Sequence, residues 1–160
     1  MFIWFYLIKE CDLMNILCFG DSNTWGYKPD KTGRFDENTR WTALLQKKLG
    51  TEYQVIRKAR LNASQHFDLL IISPIHLGHG VGEPDFDPEF DEKSEAVSRN
   101  LADEYHKAAL QNHAAFLNAA DFASPSITDR EHMDESGHAA LAEAVYDKII
   151  ALGKGLANVI

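Results

Sequence analysis

The sequence contains little cysteine, no block of positive charge and no long hydrophobic run, and each absence excludes a class of protein. Two cysteines, Cys11 and Cys18, among 160 residues are too few for a disulfide scaffold, and they predict a cytoplasmic protein. The 16 Lys and Arg residues are outnumbered by 24 Asp and Glu residues, which gives a formal net charge of −8. Because nucleic-acid-binding surfaces need clustered positive charge, we expect no nucleic-acid partner.

The N-terminal segment is apolar from Met1 to Ile8. This run is too short to span a bilayer, and it lacks the basic start and the small-residue cleavage site of a secretory signal. We therefore expect no membrane span and interpret residues 1–13 as an apolar appendage. Met14 stands directly before the first strong strand pattern, so residues 14–160 are predicted to form a single domain.

The remaining chain alternates strand and helix patterns. Hydrophobic residues make up 45% of the sequence, as expected for one globular domain with a core. Short apolar runs predict strands at 15–19, 53–59, 67–73 and 115–118, and a three-to-four residue spacing predicts helices at 40–49, 92–112 and from 135 onward. This order predicts an α/β fold in which helices cover both faces of a short parallel sheet.

The helix patterns also predict caps and buried faces. Asn38 or Thr39 is expected to cap the 40–49 helix, and Asp134 the last helix. In the 92–112 helix, four positions are expected to form the buried stripe: Val97, Leu101, Tyr105 and Ala108.

A polar turn, Gly20-Asp21-Ser22-Asn23-Thr24, follows the first predicted strand. In a parallel sheet the carboxyl ends of the strands meet at the edge where ligands bind. A serine at that edge exposes its hydroxyl, and its backbone N–H faces a developing oxyanion. Ser22 is therefore a candidate nucleophile, although a Gly-Asp-Ser turn by itself is also typical of simple turn capping.

An Asp-x-x-His pair, Asp129 and His132, lies just before the last predicted helix. Serine is a poor nucleophile until a base removes its proton, and the base needs an acid that fixes its tautomer. His132 is predicted to be the base and Asp129 its partner, although an isolated Asp-x-x-His is more typical of a surface loop with a solvated Asp and His. His138 is a competing base, although we favour a role in orienting the loop by hydrogen bonding.

Three segments together resemble a known family. They read LCFGDSNTWGY at 17–27, RWT at 40–42 and DREHMDESGH at 129–138. They resemble the opening and closing blocks of SGNH (GDSL-type) hydrolases, in their arylesterase or lysophospholipase-like branch. The resemblance implies a flavodoxin-like three-layer α/β/α fold, a Ser22–Asp129–His132 triad, and hydrolysis of small short-chain or aryl carboxylic esters through an acyl-enzyme. It implies no cofactor and no metal.

The middle of the chain departs from that family. Members carry a block with a glycine and a small residue that joins the oxyanion hole, and here the segment reads RLNAS at 60–64, so that Ala63 takes the small-residue position. The later Gly-x-Asn-Asp block, with the central strand that precedes it, is missing. The alternative function is therefore a degenerate, weakly active or inactive relative that acts only in association, for example as a homo-oligomer.

Further residues are assigned around the predicted nucleophile. Asp21, Asn23 and Trp25 flank Ser22 and are predicted, together with Ala63, to form the oxyanion and substrate-binding site. His76 and His79 have a spacing that a metal could bridge, but no ligand set is completed around them, so we interpret them as surface or substrate-loop residues. The predicted partner is thus a small-molecule ester.

Overall fold

The structure is a computed structural model that describes residues 7–10, 13–56, 69–84 and 88–157. The predicted strands and helices form at nearly the expected positions. Strands β1 to β5 are Leu7–Glu10, Leu13–Leu17, Tyr53–Ile56, Leu70–Ser73 and Ala115–Asn118; helices α1 to α4 are Ser22–Trp25, Trp41–Leu49, Ser94–Gln111 and Glu135–Ala157; 3₁₀ turns span Gly50–Glu52 and Ala119–Asp121.

The strands pair in two groups. β2 pairs in parallel with β3, with Ile16 opposite Val55, and β4 pairs in parallel with β5, with Ile72 opposite Leu117. These pairings confirm the predicted parallel arrangement. β1, within the segment interpreted as an appendage, pairs antiparallel with β2, which the sequence analysis does not anticipate. Residues 1–6 and 11–12 of that segment lie outside the described residues.

Helices cover both faces of the strands. Leu70 and Ile72 of β4 belong to a core cluster that also contains buried residues of α2 and α4. Ile71, between them, points to the other face and packs with Tyr105 and Ala109 of α3. Successive side chains of a strand alternate between faces, and because both faces of β4 are covered, the strand is buried at every position, with Ser73 its one polar residue. The chain is therefore an α/β protein with three layers.

The predicted helix caps meet different outcomes. Asp134 Oδ1 accepts the backbone N–H of Gly137 at 2.9 Å, as an N-cap side chain does, and confirms the predicted start of α4. The cap predicted for α2 is wrong. Arg40 occupies the N-cap position without a side-chain cap, and the preceding turn is instead held by Asp36, whose Oδ1 accepts the N–H of Asn38 at 2.8 Å.

The buried stripe of α3 is offset from the predicted one. Val97 is 58% exposed, whereas Ser98, Tyr105 and Ala109 are buried. Ser98 is tolerated inside because its hydroxyl donates to Glu95 O at 2.7 Å and accepts the N–H of Leu77 at 3.0 Å. The spacing of apolar residues does not count a serine, even one whose hydroxyl is fully hydrogen-bonded. The predicted stripe therefore includes Val97 and omits Ser98.

The carboxyl ends of the strands carry the polar residues of interest. β2 leads through Cys18 and Gly20 into α1, and the ends of β4 and β5 are joined by a 2.8 Å hydrogen bond from Ser73 Oγ to Asn118 Oδ1. The segment 57–68, which includes the predicted oxyanion residue Ala63, lies outside the described residues, and the predicted loss of a central strand there stays a prediction. In the part of the chain that the structure describes, none of the helices is long and apolar enough to cross a bilayer.

Candidate active site

The serine turn, residues 21–27, is a one-turn helix with its own caps. Asp21 is the N-cap of α1, and its Oδ1 accepts the backbone N–H of Asn23 at 3.0 Å. Gly26 ends the helix with φ +89°, in the left-handed region that favours glycine, and donates its N–H to Ser22 O at 2.8 Å. Ser22 is the first helical residue, so the helix supplies no acceptor for its N–H.

The histidine loop, residues 126–134, is held by its own hydrogen bonds. Ser126 N–H donates to His132 O at 2.7 Å, and Arg130 N–H donates to Ser126 O at 2.9 Å. Asp129 Oδ1 accepts the N–H of Glu131 at 3.1 Å and that of His132 at 3.0 Å. Asp129 and His132 are buried. The loop therefore presents its imidazole in one fixed orientation.

The structure brings the three predicted residues of the triad together. His132 Nε2 lies 2.8 Å from Ser22 Oγ, and His132 Nδ1 lies 2.7 Å from Asp129 Oδ2. An ionised Asp129 requires the proton on Nδ1, which leaves Nε2 free to accept the serine O–H. This is the connectivity of a nucleophile, a base and an orienting acid.

Burial and hydrogen bonding shift the pKa values of Asp129 and His132 in opposite directions. Burial raises the pKa of Asp129, but hydrogen bonds from the His132 ring and from two backbone N–H groups outweigh it, so the net pKa is below its usual value. Burial lowers the pKa of His132, but the Asp129 hydrogen bond and the charges of Glu131, Asp129 and Asp21 outweigh it, so the net pKa is above 6.5. Asp129 is thus ionised and His132 is a strengthened base.

Two further contacts connect the serine turn and the histidine loop. Asn23 Oδ1 accepts the backbone N–H of Met133 at 2.9 Å, and both residues are buried. The Tyr27 ring lies against the His132 ring, with centroids 4.8 Å apart and planes tilted by 48°. No local sequence pattern predicts these contacts, because each joins residues more than a hundred positions apart.

The residues predicted to bind substrate take different positions. Asp21 and Asn23 make the capping and bridging contacts described above, so each has a structural role, and their predicted part in oxyanion or substrate binding stays a prediction. Trp25 is the last residue of α1, within the serine turn, and is 46% exposed. Ala63 lies outside the described residues.

A cavity of about 330 Å³ flanks the serine turn. Phe19 and Trp25 supply aromatic surface to it, and both are substantially exposed. Arg34 fixes one wall, because its Nε donates to Trp25 O at 2.5 Å and its guanidinium lies 5.1 Å from the centre of the Trp25 ring. Trp41, by contrast, is fully buried in the core. The space beside the serine is therefore partly aromatic and open to solvent.

His138 is not placed to act as the base. Its ring is fully buried with its edge toward Phe35, at a centroid distance of 5.3 Å. Neither ring nitrogen has a hydrogen-bond partner among the described residues, so the expectation that it orients the loop by hydrogen bonding is wrong. Burial lowers the pKa of His138 to about 4, with Arg40 adding to the effect. It contributes as a neutral packing group behind the histidine loop.

The sequence analysis missed Glu131 as a neighbour of the imidazole. Its Oε2 lies 3.6 Å from His132 Nδ1. Within the described ranges, Asp129, Glu131 and His132 form a group whose ligand atoms all lie within 4.8 Å of one another, as a metal site would require, but two of these atoms already bind each other. His79 is exposed and pairs with Glu95 at 3.1 Å. A carboxylate directly before a candidate base is the signal that could have revealed Glu131.

Comparisons with known proteins give a likeness of fold. No protein-family model and no curated protein matches the sequence. The native aryl esterase of M. smegmatis superposes with a TM-score of 0.71 at 22% identity, covering 86% of this chain and 99% of that chain. A carbohydrate acetylesterase from Sinorhizobium meliloti gives 0.72 at 22% identity, over 86% and 99%. A second carbohydrate acetylesterase family member from that organism gives 0.71 at 19% identity, over 84% and 96%. The chain shares the fold of these esterase structures.

Proposed function

We propose that the protein is a serine ester hydrolase of the SGNH type that acts on small carboxylic esters through an acyl-enzyme. One observation carries the proposal. The His132 imidazole lies within hydrogen-bond distance of both the Ser22 hydroxyl, at 2.8 Å, and the buried Asp129 carboxylate, at 2.7 Å. The fold shared with aryl and carbohydrate acetylesterase structures supports the same reaction class.

The reaction begins when Ser22 Oγ attacks the ester carbonyl carbon and its proton passes to His132 Nε2. Asp129 stabilises the resulting imidazolium through Nδ1–H without taking the proton. The tetrahedral intermediate collapses, the imidazolium returns the proton to the leaving alcohol, and Ser22 keeps the acyl group. Water then attacks the acyl carbonyl carbon while His132 takes its proton, the bond to Ser22 Oγ breaks, and the imidazolium returns the proton to Ser22 as the acid is released.

The oxyanion requires N–H donors on the side of the carbonyl opposite the base. Ser22 N–H is one proposed donor, because it lies at the start of α1, where the helix itself supplies no acceptor. Ala63 N–H is the second proposed donor, from the resemblance of its segment to the family's small-residue block. The loss of one such donor typically slows turnover by about 10²–10³, so this chain keeps measurable activity with two.

The substrate group is proposed to enter the cavity beside the serine turn. Its walls are apolar at Phe19 and Trp25, which suits a short acyl chain or an aryl ring. The volume of about 330 Å³ is at the small end of ligand sites, consistent with a small ester.

The test is hydrolysis of p-nitrophenyl acetate by the wild type and by Ser22→Ala. We expect Ser22→Ala to lose at least about a thousandfold in kcat/KM, because no nucleophile remains. Ser124→Ala is the matched control, since Ser124 is an exposed serine outside the triad, and it keeps the wild-type rate. Equal rates for the wild type and Ser22→Ala would refute the proposal.

The second candidate function is a catalytically inactive relative that acts by association. The observation that favours it is the division of the described strands into a β1–β2–β3 sheet and a separate β4–β5 pair. In an open sheet of this kind an unpaired strand edge is available to a second chain. Light scattering distinguishes the two: an esterase that is monomeric at assay concentration excludes the associating form.

A further inference from the structure

Two carboxylates converge on one nitrogen of the candidate base. Asp129 Oδ2 lies 2.7 Å from His132 Nδ1, and Glu131 Oε2 lies 3.6 Å from the same atom. The Asp129 side chain is 7% exposed and that of Glu131 is 29% exposed, so one carboxylate is inside and the other lies at the edge of the site. A triad needs only the first of these.

The backbone of the loop produces this convergence. Asp129 Oδ1 accepts the N–H of Glu131 at 3.1 Å, which folds the chain back over the aspartate side chain. Arg130 lies between the two acids and has φ +61°. Its N–H donates to Ser126 O, and its carbonyl oxygen accepts the N–H of Gly78. The backbone of Glu131 is therefore fixed next to the ring, within reach of Nδ1 for its carboxylate.

We infer that Glu131 is a positioning residue that serves His132 as a second carboxylate, stabilising the imidazolium and able to hold Nδ1–H when Asp129 is removed. The inference rests on the proposed function, because the imidazolium matters only if His132 is the base. At 3.6 Å the contribution of Glu131 in the intact triad is a charge interaction and not a hydrogen bond. A movement of less than 1 Å converts it into one.

The electrostatics of the ring agree with this role. Burial lowers the pKa of His132, and the groups that reverse this are the Asp129 hydrogen bond, then the charge of Glu131, then the charges of Asp129 and Asp21. Glu131 thus contributes to the raised pKa although it makes no hydrogen bond to the ring. Among the described residues, the groups near this imidazole are Asp129 and Glu131 from the loop, Asp21, Ser22 and Tyr27 from the serine turn, and His138 from α4.

The first experiment measures the His132 pKa directly by ¹⁵N NMR of the histidine rings, with the signal assigned by its loss in His132→Gln. Glu131→Gln lowers this pKa, Glu131→Asp restores part of the shift, and the exposed control Glu135→Gln leaves it unchanged. An unchanged pKa in Glu131→Gln overturns the inference. This readout needs no esterase activity, so it succeeds or fails independently of the proposed function.

The second experiment measures coupling between the two acids through kcat/KM. Glu131→Gln is expected to cost about 2–5-fold in the wild-type background, and about tenfold or more in Asp129→Ala, where Glu131 is the remaining partner of Nδ1. The same factor in both backgrounds overturns the inference. If Asp129→Ala fails to fold, Asp129→Asn supplies the second background. A wild type no faster than Ser22→Ala refutes the esterase proposal and leaves the NMR result to decide the role of Glu131.

Discussion

The serine turn and the histidine loop meet at the same rim, but they are stabilised differently. Most of the hydrogen bonds that shape the histidine loop join residues within its own nine positions, with two further backbone bonds to Gly78 and Asn23, and its central side chains are buried. The serine turn is built on a four-residue helix and exposes Asp21 and Trp25; apart from its cap and its glycine, it is held by contacts from Arg34, His132 and Met133. The base is therefore fixed by local structure, whereas the nucleophile is fixed by contacts across the chain.

This difference determines what each region tolerates. A short helix is marginal without tertiary contacts, so the serine turn takes its position from what it touches. Small changes there displace the nucleophile, and a displacement of about 1 Å can cost about a hundredfold in rate. Changes behind the histidine loop affect stability first, because its geometry is determined by several bonds at once.

The largest effect is expected behind the histidine loop, at His138. The ring is buried and neutral, and the pKa is lowered from 6.5 to about 4, so the unfolded chain binds this proton at a higher pH than the folded chain does. Stability from this group is present above pH 6.5 and is lost as the pH falls toward 4, by about 3 kcal/mol.

His138→Leu removes that component, and urea unfolding at pH 7.5, 5.5 and 4.5 measures it. The free energy of unfolding of the variant should fall less with acid than that of the wild type. Leu110→Ala, which replaces an uncharged side chain at an exposed position on α3, is the control and keeps the wild-type slope. Parallel pH dependences for the wild type and His138→Leu would contradict the prediction.

The second largest effect is expected from removing the hydrogen bond between Asn23 and Met133, which joins the serine turn to the histidine loop. Asn23→Ala leaves the buried N–H of Met133 without its acceptor and frees the serine turn from the histidine loop. We expect kcat/KM for p-nitrophenyl acetate to fall about a hundredfold, mainly in kcat, because the Ser22–His132 distance is no longer held.

Two variants show whether the lost acceptor is responsible. Asn23→Asp keeps an oxygen at the same place and should retain more activity than Asn23→Ala. Asn38→Ala, at an exposed position, should keep the wild-type rate. If Asn23→Ala changes only KM, the contact between Asn23 and Met133 does not position the nucleophile.

The same contrast explains what the sequence could predict. Ser22, Asp129 and His132 were candidates because strand ends place polar turns at one rim and because Asp-x-x-His is a local spacing, but it was the resemblance of two terminal blocks to a known family that implied the triad. The helices α2 and α4 were predictable from periodicity, as the buried Leu45 and Val145 illustrate. These signals are all local, and the histidine loop is the region with most local structure.

The remaining features depend on tertiary contacts that no local pattern encodes. Asn23 looks like a substrate-binding residue beside the nucleophile, but its oxygen accepts an N–H from a residue 110 positions away. β1 was read as an appendage because an isolated apolar run does not reveal its pairing partner. The expectation that His138 forms hydrogen bonds is wrong because its buried ring packs against the Phe35 ring, and neither ring nitrogen has a hydrogen-bond partner among the described residues.

The smallest effect tests the glycine that ends the serine turn. Gly26 has φ +89°, and a Cβ there would lie 2.6 Å from Arg40 Cγ, so Gly26→Ala combines backbone strain with a steric clash. Gly50→Ala is the matched control, since Gly50 has φ +71° with nothing within 4 Å of an added Cβ. Each substitution should lower the free energy of unfolding by about 1–3 kcal/mol through backbone strain, because Gly26 is in the left-handed region and Gly50, with ψ −155°, is in a region essentially restricted to glycine. Only Gly26→Ala should also lower kcat/KM, because its N–H bonds to Ser22 O. Equal losses of activity in the two variants would mean that the serine turn responds to global stability and not to its own cap.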